Sequence, residues 1–334
     1  MNLIIPMAGK GKRMRPHTLH TPKPLIPVGG KPIVQRLVED IAAMIDEPIN
    51  EIGFIIGDFG DEVEKELLDI ATSLGATGKI YYQDVALGTG HAIYCAEPSL
   101  TGPVIVAFAD TLFRADFKID SSQDGMIWVK QIEDPSQFGV VKVNETGVIT
   151  DFVEKPKDYV SDLAIIGIYF FKDGDHLKKE LKYLMDNNVV KGGEYQLTDA
   201  LENMKQQGVE FRPGTVDHWM DCGNKNATVD TNHMILEFEK DMDLVSAKAT
   251  IGNSTLIPPV LVADGAVIEN SVVGPHVSVG ANSVIRNARV SDSIVRHDTT
   301  IENAVIDHSL IGSNAEVKRS AMDLSLGDFS TLND

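Results

Sequence analysis

Cysteine is scarce in this chain. Only Cys95 and Cys222 occur, in no metal-ligand spacing, which excludes a disulfide framework or a thiolate metal site and predicts a reduced, cytoplasmic protein. No run of eighteen apolar residues is present, so no membrane span and no membrane partner are expected. The N-terminus passes directly into a polar loop, which predicts no signal-peptide core. Positive charge is also short: 30 Lys and Arg stand against 49 Asp and Glu, a net charge of −19. That balance excludes a general nucleic-acid binder but not a small anionic substrate in a local basic pocket. The apolar fraction of 43% is ordinary for a globular chain, and 334 residues suit two domains.

What cations there are gather early. The apolar run Leu3-Ile4-Ile5 reads as a short buried strand and empties into Met7-Ala8-Gly9-Lys10-Gly11-Lys12-Arg13-Met14-Arg15-Pro16, with His20-Thr21-Pro22-Lys23-Pro24 beyond. Two glycines around one residue let backbone N–H groups turn toward an anion. Lys10, Lys12, Arg13, Arg15 and Lys23 surround that turn, so a phosphate-bearing ligand is expected. Two familiar phosphate loops are absent. Neither glycine starts a G-x-x-x-x-G-K-[ST] loop, and Met14 stands where a dinucleotide fingerprint needs its third glycine.

Further on, amphipathic helices over 32–45 and 60–73 alternate with apolar segments at 51–57, 79–83 and 104–109. This alternation predicts an α/β domain with a mostly parallel sheet and ligands at the carboxyl ends of its strands. The basic loop, Gln83 and Asp110 all fall at such ends. Residues 125–171 are richer in strands, 174–187 and 194–207 read as helices, and a helix over 224–239 is expected to leave the domain. From about Ile251 the helical period is lost and aromatics nearly vanish. Val273, Val279, Ile285, Val290, Val295, Ile301, Ile306, Ile311 and Val317 recur at steps of five or six, with Gly, Asn, Asp and Ser between them. That is the period of a hexapeptide β-helix.

The opening string, together with Pro22-Lys23-Pro24-Leu25-Ile26-Pro27, resembles the signature of the sugar-1-phosphate nucleotidyltransferases; Gln83 with Leu87-Gly88 resembles its pyrimidine-specific branch, which takes dTTP or UTP, and Gly192-Gly193-Glu194-Tyr195-Gln196-Leu197-Thr198-Asp199 resembles its glucose-1-phosphate branch. Lys12 departs from the Thr or Ser usual there. The resemblance covers residues 1–240 and implies a Rossmann-like nucleotidyltransferase domain over 1–240. The repeat over 250–330 resembles the short left-handed β-helix appended to some members, through which homo-oligomers are expected to assemble.

The resemblance also implies roles. Ala8, Gly9, Gly11 and Lys12 would bind nucleotide, with Gln83 and Gly88 reading a pyrimidine edge. Asp110 and Asp221, each closing an apolar strand, would hold Mg²⁺; Cys222 stands where Thr is common. Gly139, Glu154, Lys155, Gly167 and Glu194 would line the sugar-phosphate site, and Asp199 would be structural. Arg13, Lys23 and Lys155 would carry the chemistry, in which a sugar-1-phosphate oxygen attacks the α-phosphorus of the triphosphate and pyrophosphate leaves. That reaction needs charge stabilisation and alignment rather than a side-chain nucleophile. The residues leave dTTP and UTP both open, with dTTP favoured by the resemblance. Ala164-Ile165-Ile166-Gly167 offers no Asn for an N-acetyl group, which favours glucose. Two alternatives stand beside this reading. One adds acetyl transfer in the β-helix, with His276, His297 or His308 as base, although a histidine at a coil corner is expected to be solvated. The other is a non-catalytic sugar-nucleotide sensor or assembly subunit; the presence of Lys23, Asp110 and Asp221 argues against it.

Overall fold

The computed structural model describes residues 1–115, 118–320 and 323–332. Contacts divide the chain into two compact units, residues 1–26 with 31–224, and residues 27–30 with 225–334.

The first unit is built on a nine-stranded mixed sheet. Its main path runs Ile149–Glu154, Gly139–Val143, Leu163–Phe171, Val104–Ala107, Asn2–Pro6, Glu51–Ile56 and Thr77–Tyr82. Asn2–Pro6 lies between Val104–Ala107 and Glu51–Ile56, parallel to both. Its Leu3, Ile4 and Ile5 are almost fully buried, as an interior strand covered on both faces requires. The helix Ile33–Ala43 turns Ile33, Val34, Leu37, Val38 and Ile41 inward. The helix Asp61–Ser73 buries Leu67, Ile70 and Ala71, whereas Val63 and Leu68 are only partly covered. The parallel half delivers the ends of Asn2–Pro6, Thr77–Tyr82 and Val104–Ala107 to one edge. Leu163–Phe171 runs antiparallel to Val104–Ala107 and makes the sheet mixed.

One element was not expected. The strand Val104–Ala107 stops two residues short of the reading above, and after Asp110 a second strand, Thr111–Arg114, begins. It pairs antiparallel with His218–Asp221, matching Thr111 with Asp221.

The second unit is a hexapeptide-repeat β-helix with the helix Lys225–Phe238. Three parallel sheets of five, four and four strands form its faces. Ile268, Ile285, Ile301 and Val317 stack in one ladder, Val273, Val290 and Ile306 in the second, and Val262, Val279, Val295 and Ile311 in the third. Apart from the partly exposed Ile311, these aliphatics fill the coil interior. The corners need left-handed backbone, and Asn253, Asn270, Asn287 and Asn303 supply it at one corner while His276, Asp292 and His308 supply it at another. The helix buries Asn232 completely. Its amide oxygen accepts from Gly29 N at 2.9 Å and Ser278 Oγ at 2.7 Å, and its nitrogen donates to His276 O at 3.3 Å. A buried amide satisfied in this way fixes the helix against the coil.

Candidate active site

The basic loop is shaped by Gly11, which adopts φ 54° and ψ 36° and starts a short turn over Lys12–Met14. A side chain at that left-handed position would be strained and would meet Thr18 at 3.0 Å. Thr18 Oγ1 donates to Gly11 O at 2.8 Å, and buried Met14 anchors the turn. Lys10, Lys12, Arg13 and Arg15 remain exposed. Lys23 opens a second turn over Lys23–Leu25, held by buried Pro24 and Leu25, and its side chain is only 12% exposed.

A cavity of about 280 Å³ lies at the carboxyl ends of the parallel strands. It brings together Ala8, Gly9, Lys23, Gln83, Gly88, Asp110 and Glu194 from the expected set. Lys23 Nζ donates to Asp110 Oδ2 at 2.8 Å across it. Asp221 is next to this pair without lining the cavity. The unexpected strand Thr111–Arg114 brings it there, and Cys222 N donates to Asp110 O at 3.0 Å. Asp221 Oδ1 accepts from Gly223 N at 2.9 Å. Burial pushes the Asp221 carboxyl above the usual range and Asp110 adds to the rise, against the opposing pull of the Gly223 N–H, Lys23 and Arg13. Arg13 thus belongs to the surroundings of Asp221.

The second wall comes from the segment after Thr77–Tyr82. The Gln83 amide nitrogen donates to Gly88 O at 3.2 Å and lies 3.0 Å from His91 Nδ1. Burial lowers the His91 pKa, which suits a neutral, accepting Nδ1. Both amide hydrogens of Gln83 are therefore engaged within the protein, a role for His91 that the sequence reading did not assign. Gly88, at φ 111°, touches the segment carrying Glu194: a Cβ there would lie 2.5 Å from Tyr195 O and 2.8 Å from Glu194 Cβ. Tyr195 N donates to Leu87 O at 2.8 Å, Gly90 N to Tyr195 O at 2.8 Å, and Leu197 N to Thr89 Oγ1 at 3.0 Å. These bonds set Glu194 opposite Gln83.

The remaining residues expected at the sugar site, Gly139, Glu154, Lys155 and Gly167, do not line the cavity. Glu154 pairs with Gly139 across two antiparallel strands. A Cβ at Gly139 would sit 3.0 Å from Glu154 Oε2, so the glycine makes room for that carboxylate. Burial raises the Glu154 pKa and Glu194 adds to the rise, while Lys155 opposes both. Lys155 has φ 43° and its Nζ lies 3.9 Å from Glu154 Oε1. Gly167 accepts from Phe108 N at 3.0 Å, and Phe108 lines the cavity. Asp199 is buried and pairs with Lys191, in keeping with a structural part.

Residues 3–237 match the family model described as Nucleotidyl transferase. The chain is 29% identical over 361 residues to a glucose-1-phosphate thymidylyltransferase of Streptomyces antibioticus, covering 99% of each. It is 30% identical over 276 residues to the bifunctional protein GlmU of Methanococcus maripaludis, where it covers 80% of this chain but only 61% of that one. Among solved structures it resembles a UDP-glucose pyrophosphorylase complexed with UDP-glucose. The TM-score is 0.58 at 24% identity over 71% of this chain and 98% of that one, a likeness of fold.

Proposed function

This chain belongs to the nucleotidyl transferase family, and from that premise we propose that it transfers a nucleotidyl group from dTTP, with UTP second, to glucose 1-phosphate and releases pyrophosphate. One observation carries the reading. A single cavity at the strand ends holds a shielded lysine, a carboxylate, a side-chain amide and a second carboxylate, as Lys23, Asp110, Gln83 and Glu194. Two polyanions must meet there in line, and the loop at 8–13 offers backbone N–H groups and cations to the triphosphate.

Lys23 and Lys155 would flank the attacking phosphate, and Arg13 would balance charge near the metal and the leaving group. Ala8, Gly9, Gly11 and Lys12 would shape the triphosphate site, with Gly139, Glu154, Gly167 and Glu194 holding the sugar. Because both Gln83 amide hydrogens point into the protein, its carbonyl would accept from N3–H of uracil or thymine. Backbone near Gly88 would supply the complementary donor.

Asp110 and Asp221 fit a Mg²⁺ ion. They offer an all-oxygen donor set, and the Asp221 carboxyl, raised chiefly by burial and further by Asp110, is one whose charged form a divalent cation would favour. When bound, such an ion offsets the phosphate charge that builds during transfer. Release of pyrophosphate from a panel of triphosphates and sugar 1-phosphates tests the reading. We further read residues 1–240 as the catalytic part and 250–330 as an assembly element that makes homo-oligomers. Val272 and Val305, 37% and 80% exposed on one face of the coil, support that role.

A further inference from the structure

The helix Lys225–Phe238 meets one corner of the β-helix with a matched set of titratable side chains. Asp230, His233 and Glu237 follow one another at three- and four-residue spacing, and so share one helix face. The corner residues His308, Asp292 and His276 recur once per coil, all in the left-handed conformation. Asp230 lies 3.8 Å from His308, His233 Nδ1 donates to Asp292 Oδ1 at 2.8 Å, and His276 Nε2 lies 2.7 Å from Glu237 Oε1. The His233 and His276 rings stack, with centroids 3.5 Å apart and planes 18° apart. One ligand atom each from His233, Glu237 and His276 lies within 4.8 Å of the others.

We propose that His233, Glu237 and His276 form a binding site for a divalent transition-metal ion, with Asp292 orienting the imidazoles, and that the ion clamps the helix to the coil corner.

Three features favour this over a plain ion-pair cluster. First, Asp292 accepts the Nδ1 proton of His233, which leaves Nε2 of that ring as a lone-pair donor. Second, His276 is 12% exposed, against the expectation that a corner histidine is solvated, and its Nδ1 is buried without a hydrogen bond. Asp292 Oδ1 lies only 3.4 Å from that orphan nitrogen. With Nε2 on a metal, the ring proton moves to Nδ1 and meets Asp292. The buried atom is then satisfied, and both histidines share one supporting carboxylate. Third, two face-to-face imidazoles repel if both are protonated, whereas a shared cation needs both neutral. Two nitrogens and one carboxylate oxygen suit Zn²⁺, whose four-coordinate sites place donors about 3.3 Å apart, given metal–ligand distances near 2.0–2.1 Å. One ligand atom from each residue already lies within 4.8 Å of the others, and these atoms would draw closer on an ion. His233 and Glu237 are half-exposed, which leaves an entry path and a fourth position open to water.

The test is zinc binding by the full-length, chelator-stripped protein, measured by competition titration and by melting temperature with Zn²⁺ alone. The expected result is about one high-affinity zinc ion per chain and a higher melting temperature on binding. Asp221→Asn should leave both unchanged, which separates this site from the proposed catalytic one. His233→Gln lies on the half-exposed side and should fold normally, yet lose the high-affinity zinc and the melting shift. Asp292→Asn should weaken zinc binding by about 10–100-fold. Wild type that binds no zinc under competition, or a folded His233→Gln variant with wild-type zinc affinity, would overturn the proposal.

Discussion

Lys23 Nζ and Asp110 Oδ2 lie 2.8 Å apart in the wall of the cavity. The cation proposed for the sugar phosphate and the carboxylate proposed for Mg²⁺ therefore hold each other. If the proposed roles hold, a phosphate drawing Lys23 away would leave Asp110 available to the metal, and Asp110 engaged with the metal would release Lys23 for phosphate. The pairing would then couple the two halves of the proposed reaction through one hydrogen bond.

Lys23→Ala should lower kcat/KM by about 10²–10³-fold, equivalent to about 2.7–4 kcal/mol of lost transition-state stabilisation by analogy with an oxyanion-hole donor. Half the pair is a partly exposed carboxylate, so the fold should survive with a melting temperature close to wild type. Steady-state kinetics and thermal melts on the same preparation check both halves. Near-normal turnover would remove Lys23 from the chemistry, and a collapsed melt would make it structural.

Asp221 gives a pH prediction. Its carboxyl is raised in the folded chain, first by burial and then by Asp110. The folded state therefore holds this proton at pH values where the unfolded state has lost it. Stability from this group is present at low pH and declines as pH rises from the unfolded carboxylate value, 3.8, through the raised folded one. Without metal at neutral pH, Asp221→Asn should melt higher than wild type while losing activity, since Asn can still accept from Gly223 N. A lower melting temperature for the variant would contradict the charge argument.

Gly88→Ala tests the wall that joins the proposed base and sugar sites. The new Cβ meets Tyr195 backbone at 2.5 Å, and φ 111° is strained for alanine. A cost of about 1–3 kcal/mol is expected, with KM raised for both substrates because Gln83 and Glu194 lose their common support. Chemical denaturation and a two-substrate kinetic matrix measure this. An effect on one substrate alone would show that the two residues are positioned independently.

Inside the coil, Ile285 is fully buried and stacked between Ile268 and Ile301. Ile285→Ala should cost about 2–5 kcal/mol. Val305, at 80% exposure, should tolerate Ser within about 0.5 kcal/mol of the wild-type stability. If the coil face assembles copies of this chain, Val305→Asp should shift the sedimentation profile to smaller species without loss of fold. An unchanged profile would place the assembly surface elsewhere.

Much of the α/β arrangement was legible because period and burial agree: Leu3-Ile4-Ile5 and Val104–Ala107 are apolar throughout and lie inside the sheet. The β-helix was legible for the same reason, since each coil repeats the demand for one small aliphatic per face. What stayed hidden depends on long-range pairing. Thr111–Arg114 has too short a pattern to announce a strand, and its partner His218–Asp221 is about a hundred residues away. Yet that pairing is what sets Asp221 beside Asp110. Likewise, the meeting of Gln83 and Glu194 rests on bonds between residues 87–90 and 195–197. The engagement of the Gln83 amide by His91 depends on which way a side chain turns, and no spacing encodes it.

The most direct test of the proposed function is pyrophosphate release by the full-length protein with Mg²⁺, measured for dTTP, UTP, ATP and GTP against glucose 1-phosphate and N-acetylglucosamine 1-phosphate. The account predicts release only when triphosphate, sugar 1-phosphate and Mg²⁺ are all present. Glucose 1-phosphate should be preferred, and dTTP should lead UTP by no more than a methyl group's about 1–3 kcal/mol. ATP should be poorer by up to about 10⁴-fold, because the adenine ring nitrogen N1 is an acceptor where thymine and uracil present N3–H to the Gln83 carbonyl. A purine triphosphate in first place, or release that persists under excess chelator, would contradict it.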